Sequence, residues 1–286
     1  MKEILIISGK GGTGKTSVTS SIAALCENKI MADADVDAAD LYLVLQPSII
    51  ETHEFYGSKK AIIDSEKCTH CRLCIQTCRF DAINNFQVDP VLCEGCGVCY
   101  HICPRNAVSM KDNLSGHWYI SDTPYGTLVH AKLGTAEENS GKLVAEVLRS
   151  AKEMAEQQEA PYIIIDGPPG IGCPVISALS DADMVLIVTE PTASSLHDLQ
   201  RLLELIANFK VDVSVCINKY DLSEEQSRNI EYFCYDQGIP VIGKIPFDKN
   251  VINAIAHGIP PVKYGGPAAL AIKDIWEIMK NKIDSE

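Results

Sequence analysis

A glycine-rich loop near the start of the chain constrains its fold more than any other feature. Residues 8–17 read Ser-Gly-Lys-Gly-Gly-Thr-Gly-Lys-Thr-Ser and follow the apolar run at residues 4–7. Apolar residues at helical spacing come next, so the loop is predicted to join a buried strand to a helix. Glycines in such a loop let several backbone N–H groups point at one anion, at the positive end of the helix dipole. The pattern Gly-x4-Gly-Lys-Thr, from Gly9 to Thr16, therefore predicts a phosphate-binding loop.

This loop supplies most of the predicted nucleotide site. The backbone is expected to surround the phosphates, Lys15 to reach the outer phosphates, and Thr16 to place its hydroxyl on Mg²⁺. The loop residues predicted to bind the nucleotide are Gly11, Gly12, Thr13, Gly14, Lys15, Thr16 and Ser17.

Length and charge limit the classes of protein to which the chain can belong. Its 286 residues suffice for one α/β core and a smaller module, and 46% of them are hydrophobic, as in folded soluble proteins. The formal net charge of −13 argues against a nucleic-acid partner, which needs a basic surface. No apolar run approaches the roughly 18 residues of a membrane span, and the N-terminus has no secretory signal. We therefore expect a cytoplasmic protein without stable membrane insertion, a setting in which cysteines such as the twelve of this chain serve as metal ligands more often than they form disulfides. Cys26, Cys216 and Cys234 are expected to be small buried hydrophobic residues instead.

Acidic residues follow the second predicted strand, at residues 28–32. They are Asp33, Asp35, Asp37 and Asp40. Because parallel strands end at the same edge of a sheet, this stretch is predicted to face the γ-phosphate, its Mg²⁺ and the attacking water. One of the acids would orient that water. The alternative is an acidic surface turn outside the site.

A second strand that ends in an acid is predicted at residues 162–166. Asp166 ends this strand, and the loop Gly-Pro-Pro-Gly at residues 167–170 follows. An aspartate there can bind Mg²⁺ through water, as a Walker B acid does, and the N–H of Gly170 can sense the γ-phosphate. Such a loop would move when the phosphate leaves. An ordinary strand-to-loop junction would give the same pattern.

The later chain continues the alternation of strands and helices. Asn218, at the end of a late strand, is predicted to hydrogen-bond a purine edge, and Pro246 begins a turn that we expect to lie against the base. Asn218-Lys219-x-Asp221 also resembles the guanine-reading motif of GTPases, so ATP and GTP both stay open. The other predicted elements are a hairpin at 117–120 and 127–129 and strands at 184–188, 213–217 and 241–245. Helices are predicted from a cap at residues 139–140 to near Pro161, and at 196–209 and 268–283.

Eight of the cysteines form two copies of the pattern C-x2-C-x2-C-x3-C. Each cysteine of the second copy lies 25 residues after its equivalent in the first, so the region is an internal duplication. The spacing is that of bacterial-type ferredoxins, in which three cysteines of one set and the fourth of the other set hold each 4Fe–4S cluster. The predicted ligands are Cys68, Cys71, Cys74 and Cys103 for cluster 1, and Cys93, Cys96, Cys99 and Cys78 for cluster 2.

The cysteine pattern also sets the predicted domain organisation. Residues 58–112 are expected to form an inserted ferredoxin-like domain, within a P-loop ATPase domain made of residues 1–57 and 113–286. The predicted fold class is α/β: a mostly parallel P-loop sheet with helices on both faces, plus the α+β insert. A pair of four-cysteine zinc sites is the alternative, although zinc ribbons usually place a longer loop between their two C-x2-C pairs.

Residues 10–16 resemble the deviant Walker A motif of the MinD/ParA-type ATPases, relatives of the nitrogenase iron protein. With its insert, the chain is similar to the subgroup of that family that carries a ferredoxin domain. The resemblance implies an ATP-sandwiched dimer, either a homodimer or a heterodimer with a similar ATPase, in which Lys10 reaches the nucleotide of the facing subunit. It also implies that Asp35 is the water-orienting acid of switch I and that residues 166–170 form switch II. Asp40 departs from the asparagine usual near that position.

Three functions fit these features. The leading hypothesis is an ATP-gated electron carrier that reduces a redox or metalloprotein client, with ATP, Mg²⁺ and two 4Fe–4S clusters as cofactors. The second is an assembly factor that loads a metal or an iron–sulfur cluster onto a client, and the third is a positioning ATPase like MinD whose insert docks a partner. Cys173, in the predicted nucleotide-sensing loop, is a further candidate for metal handling or for bridging a dimer.

Overall fold

The computed structural model describes residues 1–134, 137 and 140–285. The chain forms two compact units. The first contains Met1–Thr52, Trp118–Ala131 and Ser140–Glu286, and the second contains His53–His117 and Lys132–Asn139. Residues 58–112, the predicted insert, fall within the second unit.

The strands of the described chain are short, and the central strands of the first unit are largely apolar. They are β1 (Lys2–Ser8), β2 (Lys29–Asp33), β3 (Ser48–Phe55), β4 (Ser58–Ile63), β5 (Ile83–Asn84), β6 (Gln87–Val88), β7 (Val108–Asn113), β8 (Gly116–Thr123), β9 (Gly126–Leu133), β10 (Tyr162–Pro169), β11 (Met184–Thr189), β12 (Asp212–Asn218) and β13 (Val241–Ile245).

Helices connect these strands. They are α1 (Lys15–Leu25), α2 (Leu41–Leu45), α3 (Leu73–Thr77), α4 (Val98–Ile102), α5 (Ser140–Gln157), α6 (Cys173–Leu179), α7 (Ala193–Ile206), α8 (Glu224–Asp236), α9 (Lys249–Ala256), α10 (Pro261–Tyr264) and α11 (Pro267–Asp284).

The first unit is built on a nine-stranded sheet in the order β13-β12-β11-β1-β10-β2-β9-β8-β3. The pairs from β13 to β9 are parallel. Strands buried on both faces of a parallel sheet are expected to be continuously apolar, and β11 is buried at every residue. The prediction of an α/β fold with a mostly parallel sheet is confirmed.

The core of this unit is continuous from the central strands to α1 and α11. Ile6 and Ile22 are fully buried in it, and Ile275 of α11 is 1% exposed. Burying a side chain of this size stabilises the fold by roughly 1.5–3 kcal/mol. The glycine loop therefore stands between a rigid strand and a rigid helix.

Strand register places the functional acids at one edge of the sheet. Asp33 pairs with Asp166 across β2 and β10, and Ile6 of β1 pairs with the same Asp166. The ends of β2 and β10 therefore lie beside the beginning of the glycine loop.

Most predicted elements are present, with boundaries shifted by up to a few residues. Asn139, predicted to cap α5 with Ser140, lies outside the described residues. Helix α7 begins at Ala193 rather than residue 196, because the Thr192 side chain caps it by accepting a hydrogen bond from the N–H of Ser195 at 3.1 Å. Strand β10 runs through Pro169, so three residues predicted as loop continue the strand. The edge strand β3 and the short helix α2 were not predicted. Within the described residues, no helix combines the length and the apolar character that crossing a bilayer requires.

The second unit is held by two antiparallel strand pairs, β4 with β7 and β5 with β6. Its short helices α3 and α4 begin after residues with left-handed backbone angles, Arg72 and Gly97. Its apolar core is small, with Ala61, Ile83 and Val108 among its buried residues.

Candidate nucleotide-binding site

Backbone conformation shapes the glycine loop between β1 and α1. Gly12 and Gly14 have φ angles of 80° and 92°, a region that side chains disfavour. Contact also constrains Gly14, because a Cβ there would lie 2.2 Å from Nδ2 of Asn218. That nitrogen donates a hydrogen bond to the carbonyl oxygen of Thr13 at 2.7 Å. The last residue of β12 therefore fixes the loop backbone.

Lys15 is the cation at the centre of the site. Its Nζ lies 3.0 Å from Oδ1 of Asp166 and 3.4 Å from Oδ2 of Asp35, and the side chain is 7% exposed. Burial alone would lower the pKa of the ammonium group, but Asp166, Asp35 and Asp33 outweigh it and raise that pKa. Lys15 therefore stays charged and neutralises a cluster of acids.

Asp166 of β10 contacts the helix that follows the glycine loop. Its Oδ2 accepts a hydrogen bond from the Thr16 hydroxyl at 2.8 Å, and its Oδ1 accepts one from the Thr19 hydroxyl at 2.7 Å. The two residues predicted to hold Mg²⁺ are thus in direct contact. Thr19 was missed by the sequence analysis, although its position three residues after Thr16 places it on the same helix face.

The acidic stretch after β2 divides into buried and exposed residues. Asp33 is fully buried and Asp35 is 9% exposed, whereas Asp37 and Asp40 are exposed. Burial raises the pKa of the Asp33 carboxyl well above its usual value, with the nearby Asp166 acting in the same direction. Burial also raises the pKa of Asp35, and Lys15 partly counteracts it.

Asp33 is expected to make the protein less stable as pH rises. Its folded-state pKa exceeds the unfolded value of 3.8, so its contribution to stability is greatest below that pH and is lost as pH rises through the folded-state pKa. Asp33→Asn removes this loss. The variant should gain stability relative to the parent as pH rises, by up to about 1.4 kcal/mol per pH unit, in urea unfolding between about pH 4 and pH 7.

The control for this prediction is Asp37→Asn, the same change at an exposed position of the same loop. Its stability relative to the parent should vary little with pH. If the stability difference between Asp33→Asn and the parent also varied little with pH, the buried, proton-binding role of Asp33 would be contradicted.

Two buried polar atoms of the site lack a hydrogen-bond partner among the described residues. They are Oγ1 of Thr13 and Nζ of Lys15, whose contacts with the acids are ion pairs without hydrogen-bond alignment. Around Gly11 and Gly12, an added Cβ would meet nothing within 4 Å. The Thr13 hydroxyl and the Lys15 ammonium, beside an open glycine loop, fit the phosphate chain of a nucleotide. Thr16 with Asp166 offers oxygen ligands that suit Mg²⁺.

Most of the chain matches a known family. The sequence fits the profile of the CobQ/CobB/MinD/ParA nucleotide-binding domain over residues 4–262. The chain belongs to this family. It is 35% identical to an uncharacterized protein of Methanocaldococcus jannaschii over 98% of this chain and 97% of that protein.

The chain is also similar to an iron–sulfur cluster carrier protein and, in its fold, to MinD. It is 25% identical to the iron–sulfur cluster carrier protein of Pyrococcus abyssi, over 98% of this chain and 86% of that protein. The structure of the septum site-determining protein MinD of Pyrococcus horikoshii, complexed with Mg-ADP, superposes with a TM-score of 0.60 at 21% identity. It covers 97% of this chain and 95% of that one, which establishes a shared fold.

Lys10, the extra lysine of the MinD/ParA loop, is held within its own chain. Its Nζ lies 2.9 Å from Oε1 of Glu190 and donates to the hydroxyls of Thr192 at 3.3 Å and Ser194 at 3.1 Å. Burial would raise the pKa of Glu190, but Lys10 and Lys219 lower it overall. A role for Lys10 in a facing subunit would require it to leave Glu190, a partner that sequence analysis missed because the two are far apart in the chain.

The predicted base-contacting residues are engaged by their own chain. Asn218 uses its amide nitrogen on Thr13, and its Oδ1 accepts from the N–H of Lys219 at 3.0 Å. Oδ1 of Asp221 accepts from the N–H of Phe247 at 2.7 Å, directly after Pro246. The purine contacts of Asn218 and Pro246 therefore stay predictions.

The remaining predicted residues lie beside the loop. Gly170, with φ of 87°, donates its N–H to the carbonyl oxygen of Ser8 at 2.9 Å. Ser17 lies in the first turn of α1, where its carbonyl oxygen accepts hydrogen bonds from the hydroxyls of Ser20 and Ser21. Cys173 is exposed and begins α6.

In the second unit, the eight patterned cysteines line two cavities. Both cavities are partly open to solvent. The cysteines lining them are Cys68, Cys71, Cys74 and Cys103 for cavity one, and Cys78, Cys93, Cys96 and Cys99 for cavity two.

The donor set of each cavity suits an iron–sulfur cluster. Four soft thiolates per cavity are what a 4Fe–4S cluster binds, and the Sγ of Cys103 accepts a backbone hydrogen bond from Ala107 at 3.3 Å. Among the described residues, no three Cys, His, Asp or Glu side chains converge closely enough for a single metal ion. In a 4Fe–4S cluster, by contrast, each thiolate binds a different iron.

Proposed function

We propose that the chain is an ATPase whose nucleotide switch controls electron transfer through two 4Fe–4S clusters to a partner protein. The observation that carries the proposal is the grouping of eight cysteines, four around each of two cavities, in a chain that also has a MinD/ParA nucleotide site. The clusters would supply one-electron chemistry, which the nucleotide site itself lacks.

The residues of the nucleotide site would divide the work of ATP hydrolysis. Lys15 would neutralise the phosphates, and Thr16 with Asp166 would hold Mg²⁺. Asp35, partly buried beside Lys15, would orient the attacking water. Lys10 would act on the nucleotide of a second subunit, in a homodimer or in a heterodimer with a similar ATPase.

The switch segments are already linked to each other and to the loop. The N–H of Ala34 donates to the carbonyl oxygen of Asp166 at 2.8 Å, and Gly170 donates to Ser8. Loss of the γ-phosphate would therefore disturb both segments together. This linkage supports a nucleotide-dependent change that reaches a docked client, which we expect to be a redox protein or another metalloprotein.

Two other functions have support of their own. The iron–sulfur cluster carrier among the relatives favours a factor that loads clusters or metal onto a client. A positioning role like that of MinD is about as well supported, since the family and the fold are those of MinD. In that case the second unit would act as a docking module.

A redox titration followed by electron paramagnetic resonance tests the proposal. Mg-ATP should shift the midpoint potential of at least one cluster by about 59 mV. For one electron, this shift corresponds to a tenfold change in the equilibrium constant for reduction of the cluster. Asp35→Ala should retain bound ATP and keep the shift, and Asp37→Ala is the matched control at an exposed position of the same loop.

The outcomes separate the three functions. Cluster midpoint potentials that do not change when Mg-ATP is added would contradict control of electron transfer by the nucleotide. Transfer of iron and sulfide to an added cluster-free ferredoxin would favour loading, and normal ATP turnover and partner binding by cluster-free protein would favour positioning.

A further inference from the structure

The two halves of the cysteine-rich unit differ in charge at three equivalent positions that line the cavities. The constant 25-residue offset makes each residue of the first half comparable with one of the second. At each of these positions, the residue lining cavity one carries one more positive charge than its equivalent lining cavity two. The pairs, cavity one first, are Thr69 and Glu94, Arg72 and Gly97, and Arg105 and Phe80.

Arg72 occupies a position at which the other repeat has a glycine, Gly97. Arg72 has φ of 66° and Gly97 has φ of 75°, and each directly precedes a short helix. A left-handed backbone disfavours a side chain, and strain of this kind is kept where surrounding structure or function requires the residue. The exposed Arg72 lines a cavity that has four thiols, and its positive charge there is a functional reason to keep the residue.

Three further groups adjoin residues that line the cavities, and their effects partly offset one another. Arg79 adjoins cavity two, with its guanidinium 5.7 Å from the centre of the Phe80 ring, and offsets part of the difference. Lys67, beside cavity one, is paired with Asp64 at 3.1 Å. The N–H of Ala107 points at the Sγ of Cys103 and adds positive potential to cavity one.

Charge next to an iron–sulfur cluster changes its reduction potential. A cluster held by four thiolates is anionic, and reduction adds another negative charge. Positive side chains and N–H donors to sulfur therefore stabilise the reduced form and raise the potential, and a carboxylate lowers it.

We infer that the cluster held by Cys68, Cys71, Cys74 and Cys103 has the higher reduction potential, because Arg72 and Arg105 line cavity one and Glu94 lines cavity two. Transfer of one electron from the reduced cluster of cavity two to the oxidised cluster of cavity one would therefore be favourable; it would oxidise the first and reduce the second by one electron. This inference rests on the proposed presence of both clusters.

The test is a potentiometric titration with dithionite at low ionic strength, monitored by paramagnetic resonance, on the full chain purified anaerobically. We expect at least a tenfold preference of the electron for one cluster, equivalent to about 59 mV. Arg72→Gly, which installs the residue of the other repeat, should lower the potential of that cluster alone. Glu94→Thr should raise the potential of the other cluster alone, and both changes should reduce the preference severalfold. Added salt should also reduce it, because the charges are exposed.

Lys111→Gln is the matched control, since it removes an exposed positive charge of the same unit that lines neither cavity; both potentials should stay as in the parent. Equal potentials with both clusters present, or an unchanged preference in Arg72→Gly, would overturn this inference and leave the proposed function intact. Protein without iron or sulfide would overturn the proposed function itself.

Discussion

The double variant Cys68→Ala/Cys103→Ala is expected to keep one unperturbed 4Fe–4S cluster, whereas Cys68→Ala/Cys78→Ala is expected to keep none. Cys68 and Cys103 line the same cavity although they belong to different repeats, and Cys78 lines the other. The first variant removes two ligands from one cluster, and the second removes one ligand from each. Iron analysis and paramagnetic resonance after anaerobic purification measure the difference, with about eight irons in the parent and about four in the first variant.

The control is Cys26→Ala/Cys234→Ala, because both cysteines are buried in the first unit. Their substitution is expected to leave both clusters unchanged. If each repeat bound its own cluster, the results of the two test variants would be exchanged. Zinc in place of iron in the parent would contradict the whole assignment.

Lys15→Met is expected to abolish nucleotide hydrolysis and to destabilise the fold. Loss of the cation that faces the phosphates should lower the turnover rate by at least about 10²-fold. Without Lys15, the carboxylates of Asp166 and Asp35 lose the partner that lies within 3.4 Å of each. Breaking a buried ion pair from one side typically costs about 3–5 kcal/mol. Steady-state phosphate release and urea unfolding measure the two effects.

A second substitution separates catalysis from stability. Lys15→Met/Asp166→Asn removes the carboxylate that lies 3.0 Å from Nζ along with the cation, so it should recover part of the lost stability and none of the hydrolysis. Lys210→Met, at an exposed lysine, should change neither. Hydrolysis at the parent rate in Lys15→Met would contradict the phosphate role.

Local sequence was enough to predict the elements that carry the site. The strand, glycine loop and helix from β1 to α1 follow from residues adjacent in the chain. So does the strand that carries Asp166, although β10 continues to Pro169 instead of ending at the acid. The meeting of Thr16 and Asp166 also followed, because parallel strands bring their carboxyl ends to one edge of a sheet. Their 2.8 Å contact agrees with that expectation.

Pairings between distant residues could not be predicted in the same way. Glu190 contacts both Lys10 and Lys219, and nothing in the sequence around any of the three signals the others. Asn218 was expected to face a base, yet its amide holds the carbonyl oxygen of Thr13. Such side-chain partners depend on the separation of strands β11 and β12 from the loop, which periodicity does not encode.

The sequence by itself determined the phosphate loop, the alternation of strands and helices, and the division of eight cysteines into two repeats, since each depends on the spacing of neighbouring residues. Tertiary structure alone decided which acids are buried beside Lys15 and which charged residues line each cavity. Burial and proximity arise when segments far apart in the chain pack together, and they set the protonation of Asp33 and the unequal surroundings of the two thiol sets.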